Sequence, residues 1–199
     1  HQGLTALLAA TRDSWHGRSE AVTMLLTNGA QTQVADRDGN SPLHFAMRST
    51  DPAVAALLLD AGAEKEAINK EGFTPLALAC QAANWRLARY MLERKASVEP
   101  LLAVPVLIAA AGAEDDEIGI RLLHKHKAKI DIRDGRQRTP LMIAAEAGLV
   151  EVVSVLVELG AQLNLQDEQG TTAYMFAAQH GEVDVINALQ KSNKLNRSL

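Results

Sequence analysis

The sequence predicts an all-α solenoid in which short helix pairs stack side by side, and three observations carry that prediction. The first is a recurring phrase, a turn followed by Thr/Ser-Pro-Leu and a small-residue pair: SPLHFAM at 41–47, TPLALAC at 74–80 and TPLMIAA at 139–145. Pro42 and Pro75 stand 33 positions apart, Pro75 and Pro140 stand 65 apart, and a divergent VPVLIAAA with Pro105 falls between them. Self-similarity at such a period marks units that cannot bury their apolar faces alone and stack to do so. The second observation is a set of alanines, Ala10, Ala46, Ala79, Ala109, Ala144 and Ala177, that aligns six copies. The third is composition. The 199 residues are 47% hydrophobic but only 4% aromatic, a palette of small side chains suited to helices in close approach.

Copy one (about 1–35) carries the weak phrase LTALLAA at 4–10 and about three extra residues between its helices, around Ser14, Trp15, His16 and Gly17. His1 falls where a repeat has already begun, so the chain is expected to be a piece of a longer protein. Copy two (36–68) shows the mechanics best. Asp36-Arg37-Asp38-Gly39 makes a turn, because Asp caps through its side chain and Gly accepts positive φ. Ser41 is the N-cap candidate and Pro42 takes the first helical position, where a missing N–H costs nothing. Leu43, Ala46 and Met47 follow helical spacing. A second helix is expected over 52–61, with Val54, Leu57 and Leu58 on one face and Gly62 as its left-handed terminator.

Copy three (69–98) places Cys80 on the packed side beside Ala79, puts Trp85 in the turn between helices, and has Lys95 where the terminating Gly is expected. Copy four (99–133) is the least regular. Ala96 to Pro105 is 9 positions, against 12 for Ala63 to Pro75 and for Ala128 to Pro140, so its leading turn is expected to be about three residues short. About two residues are inserted near 112–117, and Lys127 replaces the terminating Gly. Local opening is expected to be easiest here. Copies five (134–166) and six (167–199) return to the pattern of copy two, and copy six ends in a polar stretch from Lys191 to Arg197. Ala46, Ala79 and Ala144 are expected to be buried where helices approach most closely.

With SPLHFA, TPLALA and TPLMIA close to the signature T-P-L-H-x-A and a period near 33, the sequence resembles the ankyrin-repeat family over essentially its whole length. The resemblance implies a single domain over 1–199 in which each repeat is a short β-hairpin finger and two antiparallel helices. It implies that His44 hydrogen-bonds finger backbone. It also implies a binding surface made of the concave side, the fingertips and the exposed side of the first helices. Carried over by position, the fingertip candidates are Arg37, Asp38, Asn40, Lys70, Glu71, Phe73, Arg136, Arg138, Glu168, Gln169 and Thr171. The inner-helix candidates are Arg48, Ser49, Gln81, Ala82, Glu146, Ala147, Gln179 and His180, with Trp85 at the helix–helix turn of copy three. Phe73 either anchors a partner's apolar pocket or packs against the adjacent finger. Trp85 either contacts a partner or packs on Arg86.

A net charge of −4 and a pI near 5.9 argue against a general nucleic-acid binder. Cys80 is the single cysteine, which precludes an internal disulfide and points to a reducing, cytoplasmic compartment. The longest apolar run, 101–112, is too short to span a bilayer and contains Pro105, so membrane insertion is not expected. No signal-peptide pattern is visible. Catalytic spacing is absent: there is no HExxH, GxSxG or phosphate-binding loop. His124 and His126 stand two apart, point away from each other on a helix and cannot share a metal. Asp115-Asp116-Glu117 lacks the spaced oxygen ligands of a calcium loop. Cys80 reads as a buried structural thiol, and Asn196-Arg197-Ser198 matches a glycosylation acceptor as readily by chance as by design. No enzyme activity, metal or cofactor is expected.

Charge is uneven. From Arg121 to Arg138 there are seven basic and two acidic residues, a net of +5, whereas 139–190 has seven acidic residues and no Lys or Arg. A field of that kind steers partners more than it binds them. The expected function is recruitment of another protein or peptide, one with a basic segment over copies five and six, by a monomeric interaction module. The alternative is an intramolecular regulatory or scaffold domain of a larger enzyme or secreted effector. A third reading, an enzyme with its site at the irregular junction of copies three and four, has no motif behind it.

Overall fold

The computed structural model describes residues 5–12, 19–49 and 52–196, with side chains as far as residue 192. Ser14 to Gly17 and the acceptor site at Arg197-Ser198 lie outside the described residues. Among the described residues there are twelve α-helices and no strand. They are α1 (Ala6–Arg12), α2 (Ser19–Thr27), α3 (Pro42–Ala46), α4 (Pro52–Asp60), α5 (Pro75–Gln81), α6 (Trp85–Glu93), α7 (Val106–Ala111), α8 (Glu117–Lys125), α9 (Pro140–Glu146), α10 (Val150–Glu158), α11 (Ala173–His180) and α12 (Val183–Asn196).

The chain divides into two compact units, His1–Ala103 and Val104–Leu199. In the first, each helix pair closes on itself (α1 with α2, α3 with α4, α5 with α6), while α3 packs on both α1 and α5, and α4 on both α2 and α6. The second repeats the scheme: α9 packs on α7 and α11, and α10 on α8 and α12. First helices stack on first helices and second on second, the solenoid arrangement that the repeat predicts. Ala46, Ala79, Ala144 and Ala177 are fully buried, as expected of residues where helices touch closely.

Helix starts follow the Thr/Ser-Pro chemistry. Pro42, Pro75 and Pro140 each open a helix, and the Thr74, Thr139 and Thr172 hydroxyls accept the backbone N–H groups of Ala77, Met142 and Met175 at 3.3–3.4 Å. Second helices end in left-handed residues: Gly29, Gly62 and Gly160 at φ +81°, +83° and +95°. Lys95 and Lys127 adopt the same conformation, at φ +61° and +71°, rather than ending the helix differently. Each accepts a steric cost of roughly 1 kcal/mol that glycine avoids.

Copy four corrects the sequence register by one residue. Pro105 is the N-cap of α7, at φ −57° and ψ 134°, and Val106 opens the helix. The residue four positions on is therefore Ala110, which is buried, while Ala109 is only half-buried. Three consecutive alanines leave the alignment degenerate, and the phrase alone selects the wrong one. Counted from helix starts, the leading turn is two residues short (96 to 106, against 128 to 140) and the insertion is one residue (106 to 117, against 140 to 150). Trp85 is likewise the first residue of α6, not part of the turn before it.

The inserted turn has a purpose. Asp116 caps α8 through Ile118 N–H (2.8 Å), and Asp115 reaches the start of α10, accepting from Glu151 N–H (2.7 Å) and Val152 N–H (3.2 Å). The residue before α10 is Leu149, which has no side-chain acceptor, so copy four supplies the cap for copy five. Asp115→Ala is expected to cost about 0.5–2 kcal/mol in urea unfolding, the range of a lost N-cap. An unchanged midpoint would show the cap to be redundant with water.

Candidate partner-binding surface

Each regular finger is built by one Asp or Asn. Asp36 Oδ1 accepts the N–H groups of Asp38 and Asn40 (2.9 and 2.8 Å), and Asn69 Oδ1 those of Glu71 and Phe73 (3.1 and 2.9 Å). Asp134 does the same for Arg136 and Arg138 (2.9 and 2.8 Å), and Asp167 for Gln169 and Thr171 (3.0 and 2.7 Å). One backbone pair closes each turn, such as Asp36 N–H to the Asn40 carbonyl at 3.0 Å. A single closing bond makes a hairpin turn, which is why the expected β-hairpin fingers carry no assigned strand among the described residues.

Neighbouring fingers within a unit are tied together. Lys70 N–H donates to the Asp38 carbonyl (2.9 Å), Asn69 Nδ2 to Asn40 Oδ1 (2.9 Å), and Glu168 N–H to the Arg136 carbonyl (3.2 Å). His44 adds a tie from below. The Ser41 N–H (3.1 Å) reaches its Nδ1, so that nitrogen is an acceptor, and Nε2–H is left to donate to the Phe73 carbonyl at 3.1 Å. Burial holds the ring's pKa below its ordinary value, against the opposing pull of its backbone hydrogen bonds, which keeps this neutral tautomer in place. The role implied for His44 is the one observed.

In unit 1 the exposed tips are Arg37, Asp38, Lys70 and Glu71, with Arg48 and Gln81 exposed on or just after the first helices. Asn40 is half-buried and occupied by Asn69. Phe73 is half-buried rather than fully exposed, and Trp85 is half-buried with its indole N–H enclosed and unpartnered. In unit 2 Arg136, Glu168, Gln169, Gln179 and His180 are exposed. Arg138 and Glu146 are not free to recognise anything alone. Arg138 bridges Asp134 (3.0 Å) and Glu146 (3.3 Å), tying finger to first helix.

Two residues that sequence reasoning passed over belong beside these. Leu101 and Leu102, at the tip of the short finger, are 88% and 99% exposed, and Leu102 sits at φ +61°. The signal was present: this finger has Pro100-Leu101-Leu102 where the others have Asp or Asn, charge and Gly.

The charge boundary is stitched rather than open. Arg121 pairs with Glu117 (2.7 Å) and Glu158 (2.6 Å), raising its own pKa and lowering that of Glu158, and Arg133 donates to the Gln166 carbonyl (3.0 Å). These pairs are solvent-exposed and contribute little to stability. No cluster of metal-ligating side chains occurs among the described residues. Asp115 and Asp116 serve as helix caps, and the buried Cys80 thiol is pushed up to about 12 by desolvation, which keeps it protonated and unreactive. No helix among the described residues is long and apolar enough to cross a membrane.

A family model described as ankyrin repeats (3 copies) matches residues 7–101 and 106–198. Solved structures share the architecture. The ankyrin repeat domain of human ASB11 aligns with a TM-score of 0.84 at 25% identity, covering 95% of this chain and 84% of that one. The ankyrin repeat domain of Bcl-3, a member of the IkappaB family, gives 0.74 at 28%, covering 95% and 83%. A chain of the complex between the Bd0816 predatory endopeptidase of Bdellovibrio bacteriovorus and its immunity protein Bd3460 gives 0.79 at 23%, covering 95% and 98%, which bears on fold alone. No curated protein matches.

Proposed function

Because this chain belongs to the ankyrin-repeat family, whose domains generally mediate protein–protein interactions, we propose that it is a non-catalytic recognition module that recruits a protein partner through its fingers and first helices. One observation carries the reading. Within each unit, neighbouring fingers are bonded to one another (Lys70 to Asp38, Glu168 to Arg136) and to a first helix (through His44 in unit 1 and Arg138–Glu146 in unit 2), while side chains at their tips stand exposed. Rigid backbone with solvent-exposed side chains is the condition for recognition at low ordering cost. In unit 1 the apolar contribution is Phe73, half-open above a carbonyl that His44 holds in place. In unit 2 the run without Lys or Arg from 139 to 190 favours a basic partner segment, with Glu168 at an exposed tip.

The test begins with capture of partners by the wild-type chain and identification by mass spectrometry, followed by affinity and rate measurements on the partner found. Phe73→Ala is expected to weaken binding about tenfold, or 1.4 kcal/mol. Glu168→Lys is expected to slow association, with the difference fading as salt rises. Both variants binding like the wild type would remove the finger surface from consideration.

A further inference from the structure

We infer that the short finger of copy four carries a proteolytic processing site, the Leu102–Ala103 bond, cut by an endopeptidase whose specificity pocket accepts a large apolar side chain. Endopeptidases take substrate as an extended strand, so a folded segment is cut only as readily as it leaves its native hydrogen bonds. The regular fingers resist on that count. Phe73 is the large apolar residue of the preceding finger, yet Asn69 Oδ1 holds its N–H (2.9 Å). Its carbonyl accepts Asn69 N–H (3.0 Å) and His44 Nε2–H (3.1 Å). The short finger has none of these ties. Counted from the helix starts Pro75 and Val106, Pro100 stands where Asn69 stands one repeat earlier. Proline has neither the side-chain acceptor that builds the turn nor the N–H that closes it.

Among the described residues, 100–103 neither donate nor accept a hydrogen bond. The base of the finger is anchored instead: Ser97 N–H donates to Glu66 Oε1 (2.9 Å) and Glu99 N–H to Ser97 Oγ (3.2 Å). Only the tip can be drawn out. Leu101 and Leu102 stand 88% and 99% exposed, and Leu102, at φ +61°, carries a left-handed strain that extension into a protease cleft relieves. Position favours stable products. Ala103 is the last residue of the first compact unit, so the cut falls one residue before its end. It leaves α1 to α6 on one fragment and α7 to α12 on the other, three helix pairs each. About three stacked repeats are the least that hold such an array together, and a cut at any other finger of this chain leaves fewer on one side. The step is hydrolysis: the oxygen of water goes to the Leu102 carbonyl carbon, the C–N bond breaks, and Ala103 leaves as a free amine.

The test digests the full chain with limiting chymotrypsin and reads the products by intact mass. Within residues 19–192 the first cut is expected between Leu102 and Ala103, ahead of Phe73–Thr74, although the hydrophobic slot of chymotrypsin favours an aromatic ring. Measured against a peptide substrate, its rate is expected to stay constant in urea below the unfolding transition, because the segment needs no unfolding to be bound. Both separated fragments are expected to remain helical by circular dichroism and to resist further digestion. The double variant Leu101→Asp, Leu102→Asp is expected to slow this cut about a hundredfold. Its urea midpoint is expected to be unchanged, since both side chains stand in solvent. Earlier cleavage after Phe73, a rate at Leu102 that climbs with urea in step with unfolding, or swift digestion of either fragment overturns the proposal. An undiminished cut in the double variant does the same.

Discussion

Ala110→Leu is expected to destabilise the chain by about 1–3 kcal/mol, while Ala109→Leu is expected to shift it by no more than about 0.5 kcal/mol. The two residues are adjacent and chemically identical, so the contrast isolates position. Ala110 is almost wholly buried, at the point in α7 that Ala144 occupies in α9, and α7 and α9 pack against each other there. Nearby packing is already tight: a β-carbon added at Gly112 would lie 3.0 Å from Ile143 Cγ2. A leucine at 110 brings three further heavy atoms into that contact and forces backbone or rotamer shifts. At Ala109, half-buried, the same atoms have solvent beside them. Urea unfolding of both variants decides the matter. Equal costs would restore the register that the Pro-anchored phrase suggests.

The same pair shows what was legible in the sequence. The repeat, its helix starts and the burial of Ala46, Ala79 and Ala144 followed from spacing and capping chemistry, because Pro fixes φ and Thr or Ser fixes the cap. Copy four was misread because both anchors fail there at once. Pro105 has slipped to the cap position, where its extended ψ is allowed, and the alanine run offers no landmark. Asp115 was read only as a poor metal ligand, because its partners, Glu151 N–H and Val152 N–H, lie in another repeat. Long-range capping leaves no local pattern. The finger surface was legible by position but not by occupation: Asn40, Arg138 and Glu146 spend their side chains on one another or on neighbouring fingers, and only the structure separates them from the free tips of Glu168 and Gln169.

Asp134→Ala is expected to cost about 2–3 kcal/mol, and Asp134→Asn about 1 kcal/mol or less. Asp134 Oδ1 accepts two backbone N–H groups, from Arg136 at 2.9 Å and Arg138 at 2.8 Å, while Oδ2 takes Arg138 Nε at 3.0 Å. Its side chain is only 13% exposed, so water cannot fully replace those bonds once the carboxylate is gone. Alanine also strips Arg138 of the partner that aims it at Glu146, loosening the tie between finger and first helix. Asparagine keeps the acceptor that builds the turn and gives up only the ion pair. The protein contains its own precedent, since Asn69 occupies the same place in copy three and its Oδ1 receives the equivalent N–H groups of Glu71 and Phe73. Thermal and urea unfolding should therefore rank wild type, Asn and Ala in that order, with the larger step between Asn and Ala. Near-equal losses for the two variants would mean that the Arg138 bridge, rather than the double acceptor, holds the finger.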